Sequence, residues 1–82
     1  MPMNDRQFYD GIDTAMRTIS RGRTDPPQTQ QELDAAYLLL VQLQPAVEDD
    51  RHRDAALSAA FSRVLRLASS LGLRRPGDDE PD

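Results

Sequence analysis

The residue types best suited to metal binding or acid/base catalysis cluster in DDRHRD, residues 49–54, which contains the chain's only histidine, His52. If this segment is helical, Asp50 and Asp54 share a face, whereas His52 lies two residues from each and points elsewhere. The two arginines of the segment add positive charge that repels a cation. We therefore predict no metal site here and interpret the segment as the solvated, aspartate-capped start of a helix.

A second candidate for acid/base chemistry is the carboxylate pair Asp10 and Asp13, one helical turn apart. Arg6 lies four residues before Asp10 and Arg17 lies four residues after Asp13, so ordinary surface ion pairing accounts for all four residues. No serine or threonine is fixed beside His52 by the sequence, so no nucleophile has an evident base. The four glycines are dispersed and form no phosphate-binding loop. The sequence thus predicts no enzyme, no catalytic residue and no cofactor.

Composition narrows the classes of partner. The 82-residue chain carries a formal net charge of −4, which argues against nonspecific attraction to nucleic acid or to an anionic membrane. It has no cysteine, so neither a disulfide nor a thiolate metal site can stabilise it. Apolar runs stay well short of the roughly 20 residues that span a bilayer, and the N-terminus lacks a signal-peptide pattern. We expect a cytoplasmic product.

Helical spacing of apolar residues predicts an all-α fold, a small three-helix bundle with antiparallel helices. The helices are expected at about residues 4–21, 30–45 and 50–71, within a single domain spanning residues 1–73. Residues 74–82 combine prolines, a glycine and four acids without a large apolar side chain, and are predicted to be a disordered acidic tail.

Local signals predict where these helices begin. Asn4 and Gln7 form one capping box, to which Met3 can add a hydrophobic contact, and Thr29 and Glu32 form a second. The third helix is expected to be capped by the aspartates at 49 and 50.

Other local signals predict where the helices end. Gly22 and Gly72 can adopt the left-handed conformation that terminates a helix, with Leu73 closing a Schellman contact, and Pro45 disfavours helical geometry before it. Gly11 lies inside the first helix, where it either permits close packing or is tolerated at the surface.

The second helix carries more large apolar side chains than one face can hold. Its core stripe is predicted to contain Leu33, Ala36, Tyr37, Leu40 and Leu43. Leu38 and Leu39 fall outside this stripe. Either the neighbouring helices cover both sides, or the surplus is buried against a partner, most simply a second copy, since symmetric homodimers are the commonest oligomers.

Since no catalytic, cofactor-binding or metal-binding residues are predicted, the extra apolar side chains of the second helix predict a noncatalytic protein–protein interaction module. We expect a small regulator, adaptor or inhibitor, such as a bacterial or phage antagonist, that forms a homodimer, binds a larger protein, or does both. The predicted partner-binding residues are Leu38, Leu39, Tyr37, Arg63 and Arg66.

Two alternatives stay open. In the first, a dimer concentrates its arginines, including Arg21 and Arg23, into a nucleic-acid-binding surface, although no aromatic stacking platform accompanies them. In the second, a ligand-binding or enzymatic site forms between subunits, where Tyr37, His52 and arginine side chains converge.

Overall fold

The computed structural model describes residues 4–20 and 26–76. Three α-helices occur in this part of the chain, α1 (Asp5–Ser20), α2 (Pro26–Leu43) and α3 (Arg51–Ser70), and a 3-10 turn (Gln44–Val47) follows α2 directly. The most extensive packing is between α1 and α2, while α3 lies mainly against α2 and the turn. The predicted all-α, three-helix fold is confirmed.

Contacts at the two ends of the bundle fix the helix directions. At one end, Arg53 near the start of α3 contacts Asp5 at the start of α1 and Ala46 just beyond α2. At the other end, Gln30 near the start of α2 contacts Arg74 just beyond α3. Helix α2 therefore runs antiparallel to both neighbours, as predicted, and α1 and α3 run in the same direction.

Two of the predicted helix starts are confirmed by their capping bonds. The Asn4 Oδ1 atom accepts from the backbone N–H of Gln7 at 2.8 Å, and the Asn4 N–H donates to Gln7 Oε1 at 3.3 Å. At α3, Asp50 Oδ1 accepts from the backbone N–H of Arg53 at 3.0 Å. Asp49, the other predicted capping residue, precedes this cap with a left-handed backbone, φ 63°.

The predicted start of α2 near residue 30 is wrong, because the helix begins at Pro26. Proline suits the first turn of a helix: its φ is already close to the helical value, and its missing N–H is one that the first turn leaves unpaired. Thr29 is consequently the fourth residue of the helix and is buried, 4% exposed, so it is not the N-cap of a capping box with Glu32.

The predicted ends of the second and third helices are confirmed. Helix α2 stops two residues before Pro45 and continues as the 3-10 turn. After α3, Leu73 N–H donates to Ala68 O at 2.8 Å and Gly72 N–H to Ser69 O at 3.1 Å, with φ 71° at Gly72. These two bonds and the left-handed glycine form the Schellman motif. The contact predicted for Met3 and the stop predicted at Gly22 lie outside the described residues.

All three helices contribute to one hydrophobic core. Its buried residues are Phe8, Ala15 and Ile19 of α1, Leu33, Ala36, Leu40 and Leu43 of α2, and Leu57, Ala60, Val64 and Ala68 of α3. The predicted stripe of α2 is thus buried except for Tyr37, which is half-buried. Gly11 permits close packing, since a Cβ atom there would lie 3.0 Å from Leu43 Cδ2.

The packed chain extends past the domain boundary predicted at Leu73. The Gln30 side-chain amide donates to Arg74 O and accepts from Arg74 N–H, both at 2.9 Å, and Arg74 Nη2 lies 3.1 Å from Asp34 Oδ2. Pro76 is fully buried. Residues 74–76 of the predicted disordered tail therefore belong to the folded part, because polar side chains of α2 hold them, and residues 77–82 lie outside the described chain.

Candidate protein-binding groove

The apolar surplus of α2 is mostly covered within the chain. Tyr37 packs edge-on against Phe61 of α3, with ring centroids 5.3 Å apart and planes at 66°. Leu39 is half-buried against the hydrophobic core. Leu38, which lies opposite the buried stripe, is 60% exposed. Of the predicted apolar contact residues, Leu38 is therefore the one that α1 and α3 leave uncovered.

A groove of about 950 Å³ lies between the C-terminal halves of α1 and α3. Its apolar lining consists of Met16 and Ile19 from α1 and of Ala59, Ala60 and Leu67 from α3. Ser62, Ser70, Arg63 and Arg66 complete it on the α3 side. The structure thus places the two predicted partner-binding arginines on one groove, on a different face from Leu38.

The groove lies between the two helices that pack least against each other, since α1 and α3 each contact α2 more extensively. Arg53 Nη2 lies 2.7 Å from Asp5 Oδ1, which fastens the first turns of the two helices. Farther along, the small side chains Ala59 and Ser62 leave the space between the helices unfilled. The floor of the groove is accordingly continuous with the buried core residues Ile19 and Ala60.

The groove arginines lie on a stretch of α3 that contains no acidic side chain. Arg63 and Arg66 are exposed, and no carboxylate among the described residues pairs with either. By contrast, Arg17 pairs with Asp13 at 2.8 Å, as predicted from their spacing. The chain has no acidic residue at all between positions 55 and 76. Within the part of the chain that the structure describes, the α3 wall of the groove therefore carries positive charge without a paired carboxylate, above an apolar floor.

The segment 49–54 has a structural role that the sequence analysis missed. Arg53 is not solvated as predicted, because its side chain is only 14% exposed. Its guanidinium donates to Ala46 O at 2.8 Å and to Asp5, and lies 5.4 Å from the centroid of the Phe8 ring. The two hydrogen-bond partners of Arg53, Ala46 and Asp5, lie 7 and 48 residues from it in the sequence. No short sequence pattern therefore predicts these bonds.

The remaining candidates for chemistry are not brought together. His52 is exposed in the first turn of α3. Within residues 4–20 and 26–76, no three His, Cys, Asp or Glu residues come close enough to hold a metal ion. Asp13 is engaged by Arg17 at the surface of α1, whereas the predicted pair of Arg6 with Asp10 is not formed, since both side chains are exposed to solvent and form no ion pair with each other.

Wider comparisons add no relative. Comparison of the chain with protein-family models, with curated proteins and with solved structures finds no match. Each helix in the described part of the chain is too short or too polar to qualify as a membrane span.

Proposed function

We propose that the chain is a noncatalytic interaction module that regulates, adapts or inhibits a larger protein by binding it through the groove between α1 and α3. The observation that carries this proposal is the pairing of an apolar floor with two exposed arginines, Arg63 and Arg66, that have no carboxylate partner among the described residues. A cytoplasmic antagonist of bacterial or phage origin is one protein of this kind.

The composition of the groove matches what protein interfaces use. Interfaces combine an apolar centre with a polar rim, and arginine is enriched in them because its planar guanidinium binds carboxylates in a bidentate manner and also packs against apolar groups. Met16 adds an unbranched, adaptable side chain to the floor. The volume of about 950 Å³ is at the upper end of small-molecule pockets, and the groove is open, which favours a protein segment over an enclosed ligand.

Self-association through α2 is the second part of the proposal. With Leu39 and Tyr37 engaged inside the chain, Leu38 is the residue on which a homodimer contact is expected to centre. A single leucine is a small contribution to the roughly 800 Å² that each partner of a stable complex buries. We therefore place the principal partner surface at the groove and expect any homodimer to be weak.

The test is affinity capture from the source organism with three baits: the wild-type chain, R63E/R66E and R6E/R51E. The last variant is the matched control, since Arg6 and Arg51 are exposed, lie at the opposite end of the bundle from the groove, and give the same change of charge. We expect a partner protein to be retained by the wild type and by R6E/R51E and to be lost with R63E/R66E. The interaction is then reconstituted with the purified partner.

Other outcomes contradict the proposal. Equal retention of the partner by all three baits would show that the interface lies outside the groove. Retention of no protein by the wild type would contradict the proposal that the chain is an interaction module. A DNA gel shift at low salt that disappears in R63E/R66E would favour the nucleic-acid alternative. A metabolite or metal that raises the melting temperature would favour a ligand-binding or enzymatic site.

A further inference from the structure

The charge of the groove indicates the chemistry of its occupant. Arg63 and Arg66 are the only charged side chains among the described lining residues, and both stand on the α3 side above an apolar floor. We propose that the groove binds an acidic amphipathic helix of another protein. This inference rests on the proposed function and names the kind of segment that the partner inserts.

The length of the groove fits a short helix. Its α3 lining runs from Ala59 to Ser70, which corresponds to about 16 Å at the helical rise of 1.5 Å per residue. This is about three helical turns, the length over which an amphipathic helix presents apolar anchors at positions i, i+3 or i+4, and i+7. Met16, Ile19 and Leu67 line the groove where such anchors would be buried.

The arginines are spaced to receive carboxylates from such a helix. Arg63 and Arg66 are three residues apart, so they lie on neighbouring turns of the same face of α3. Carboxylates one turn apart on the occupant can each accept charge-assisted hydrogen bonds from one guanidinium. No acid of α3 competes, because its single acidic residue, Asp54, lies in the first turn at the other end of the helix.

The same observations disfavour a nucleic acid as occupant. None of the described lining residues is aromatic, so unpaired bases have no surface on which to stack. Two arginines would neutralise few phosphates. A hydrated sugar–phosphate backbone also has little apolar surface to bury against the floor of the groove. A peptide that combines apolar and acidic side chains uses both parts of the groove.

The test selects ligands without assuming a known partner. A phage-displayed library of peptides of about 16 residues, enough for four helical turns, is panned against the full wild-type chain. We expect enrichment of peptides with a net negative charge and with leucine, isoleucine, phenylalanine or methionine at helical spacing. The enriched peptides are then synthesised, and their affinities for wild-type and variant chains are measured by fluorescence anisotropy.

Two variants alter the groove in different ways. R63E/R66E reverses its charge, and A59W fills it with an indole ring at an exposed position. Each is expected to weaken peptide binding by about tenfold or more, whereas R6E/R51E is expected to leave it within about twofold. Thermal unfolding followed by circular dichroism establishes that each variant is folded before its affinity is compared with the wild type.

The inference is overturned by enrichment of neutral or basic peptides, by absence of enrichment, or by peptides that bind R63E/R66E and A59W as they bind the wild type. Displacement of the peptide by a duplex DNA of about 20 base pairs at physiological salt would also overturn it in favour of nucleic acid. Self-association of the wild-type chain in sedimentation velocity that is abolished by R63E/R66E would indicate a second copy as the occupant. If capture retains a partner protein through Arg63 and Arg66 but no acidic peptide is enriched, this inference fails and the proposed function stands.

Discussion

The guanidinium of Arg53 lies over the ring of Phe8, 5.4 Å from the ring centroid, and joins the first turn of α3 to the core face of α1. The same guanidinium donates to Ala46 O at 2.8 Å and contacts Asp5 at 2.7 Å. One side chain thus ties α1, α3 and the turn after α2 together at the end of the bundle that lies away from the groove.

Replacement of Arg53 by alanine is expected to destabilise the chain by about 2 kcal/mol. The loss arises mainly because Ala46 O loses a charge-assisted donor in a part-buried site and because the Phe8 ring loses its cation. Asp5 is 75% exposed, so D5N is expected to cost only about 0.5 kcal/mol. Urea unfolding of R53A, D5N and the exposed control R51A measures the three values.

The ranking of the free-energy costs of R53A, D5N and R51A tests this role of Arg53. If D5N were as costly as R53A, the ion pair and not the burial of the guanidinium would fasten the helices. If R51A were as costly as R53A, the effect would reflect the helix start in general, since both arginines lie in the first turn of α3.

G11V is expected to destabilise the chain by about 2 kcal/mol, because the valine side chain would overlap Leu43. A Cβ atom alone would already lie 3.0 Å from Leu43 Cδ2 and 3.1 Å from Leu43 Cδ1. For G11A we expect a change within about 1 kcal/mol, since a small shift of the leucine relieves the contact and alanine has the higher helix propensity. A double-mutant cycle of G11V with L43A, by chemical denaturation, measures the coupling. Additive costs would show that the two residues do not interact.

The sequence predicted the local features of this fold better than the long-range ones. The Asn4–Gln7 capping box, the Asp50 cap and the stop at Gly72 each depend on residues within five positions of one another, so their spacing alone identifies them. The start of α2 was misplaced because a capping-box pattern at Thr29 competed with two preceding prolines, which suit the first turn equally well.

The candidate site was predictable in its residues but not in its shape. Arg63 and Arg66 lie on the polar side of α3 by spacing alone, so the sequence could single them out. The groove beside them depends on how α1 and α3 pack together, and these helices are joined by a contact between Arg53 and Asp5, 48 residues apart, which no local pattern predicts. The assignment of Leu39 likewise depended on which neighbour covers the flank of α2, and helix periodicity does not specify that.

The Gln30 side chain forms two hydrogen bonds of 2.9 Å with the backbone of Arg74. Q30A removes both and is expected to lower the free energy of unfolding by about 1 kcal/mol. The neighbouring Gln31 is exposed, and Q31A is the matched control, with an expected change within about 0.5 kcal/mol. The two bonds to the Arg74 backbone join neutral groups, and the third bond of Gln30, from Nε2 to the Asp34 carboxylate, is longer at 3.3 Å. The cost of Q30A should therefore vary less with salt than the cost of D34N. D34N, which removes the partly exposed ion pair with Arg74, should cost less as salt increases. A cost of Q30A that falls with salt as steeply as the cost of D34N would contradict this prediction.

Leu38 and Leu39 are alike in type and neighbours in sequence, but the structure buries them to different extents. L38D is expected to change the free energy of unfolding by no more than about 0.5 kcal/mol, because Leu38 is 60% exposed and lies opposite the buried stripe of α2. L39D is expected to cost about 2 kcal/mol, because it places a charge among the side chains packed on the core. Sedimentation velocity at several concentrations then tests self-association in the wild type and in L38D, which stays folded on this expectation. Concentration-dependent association of the wild type that is lost in L38D supports a homodimer contact at this leucine, and association that persists in L38D places the contact elsewhere.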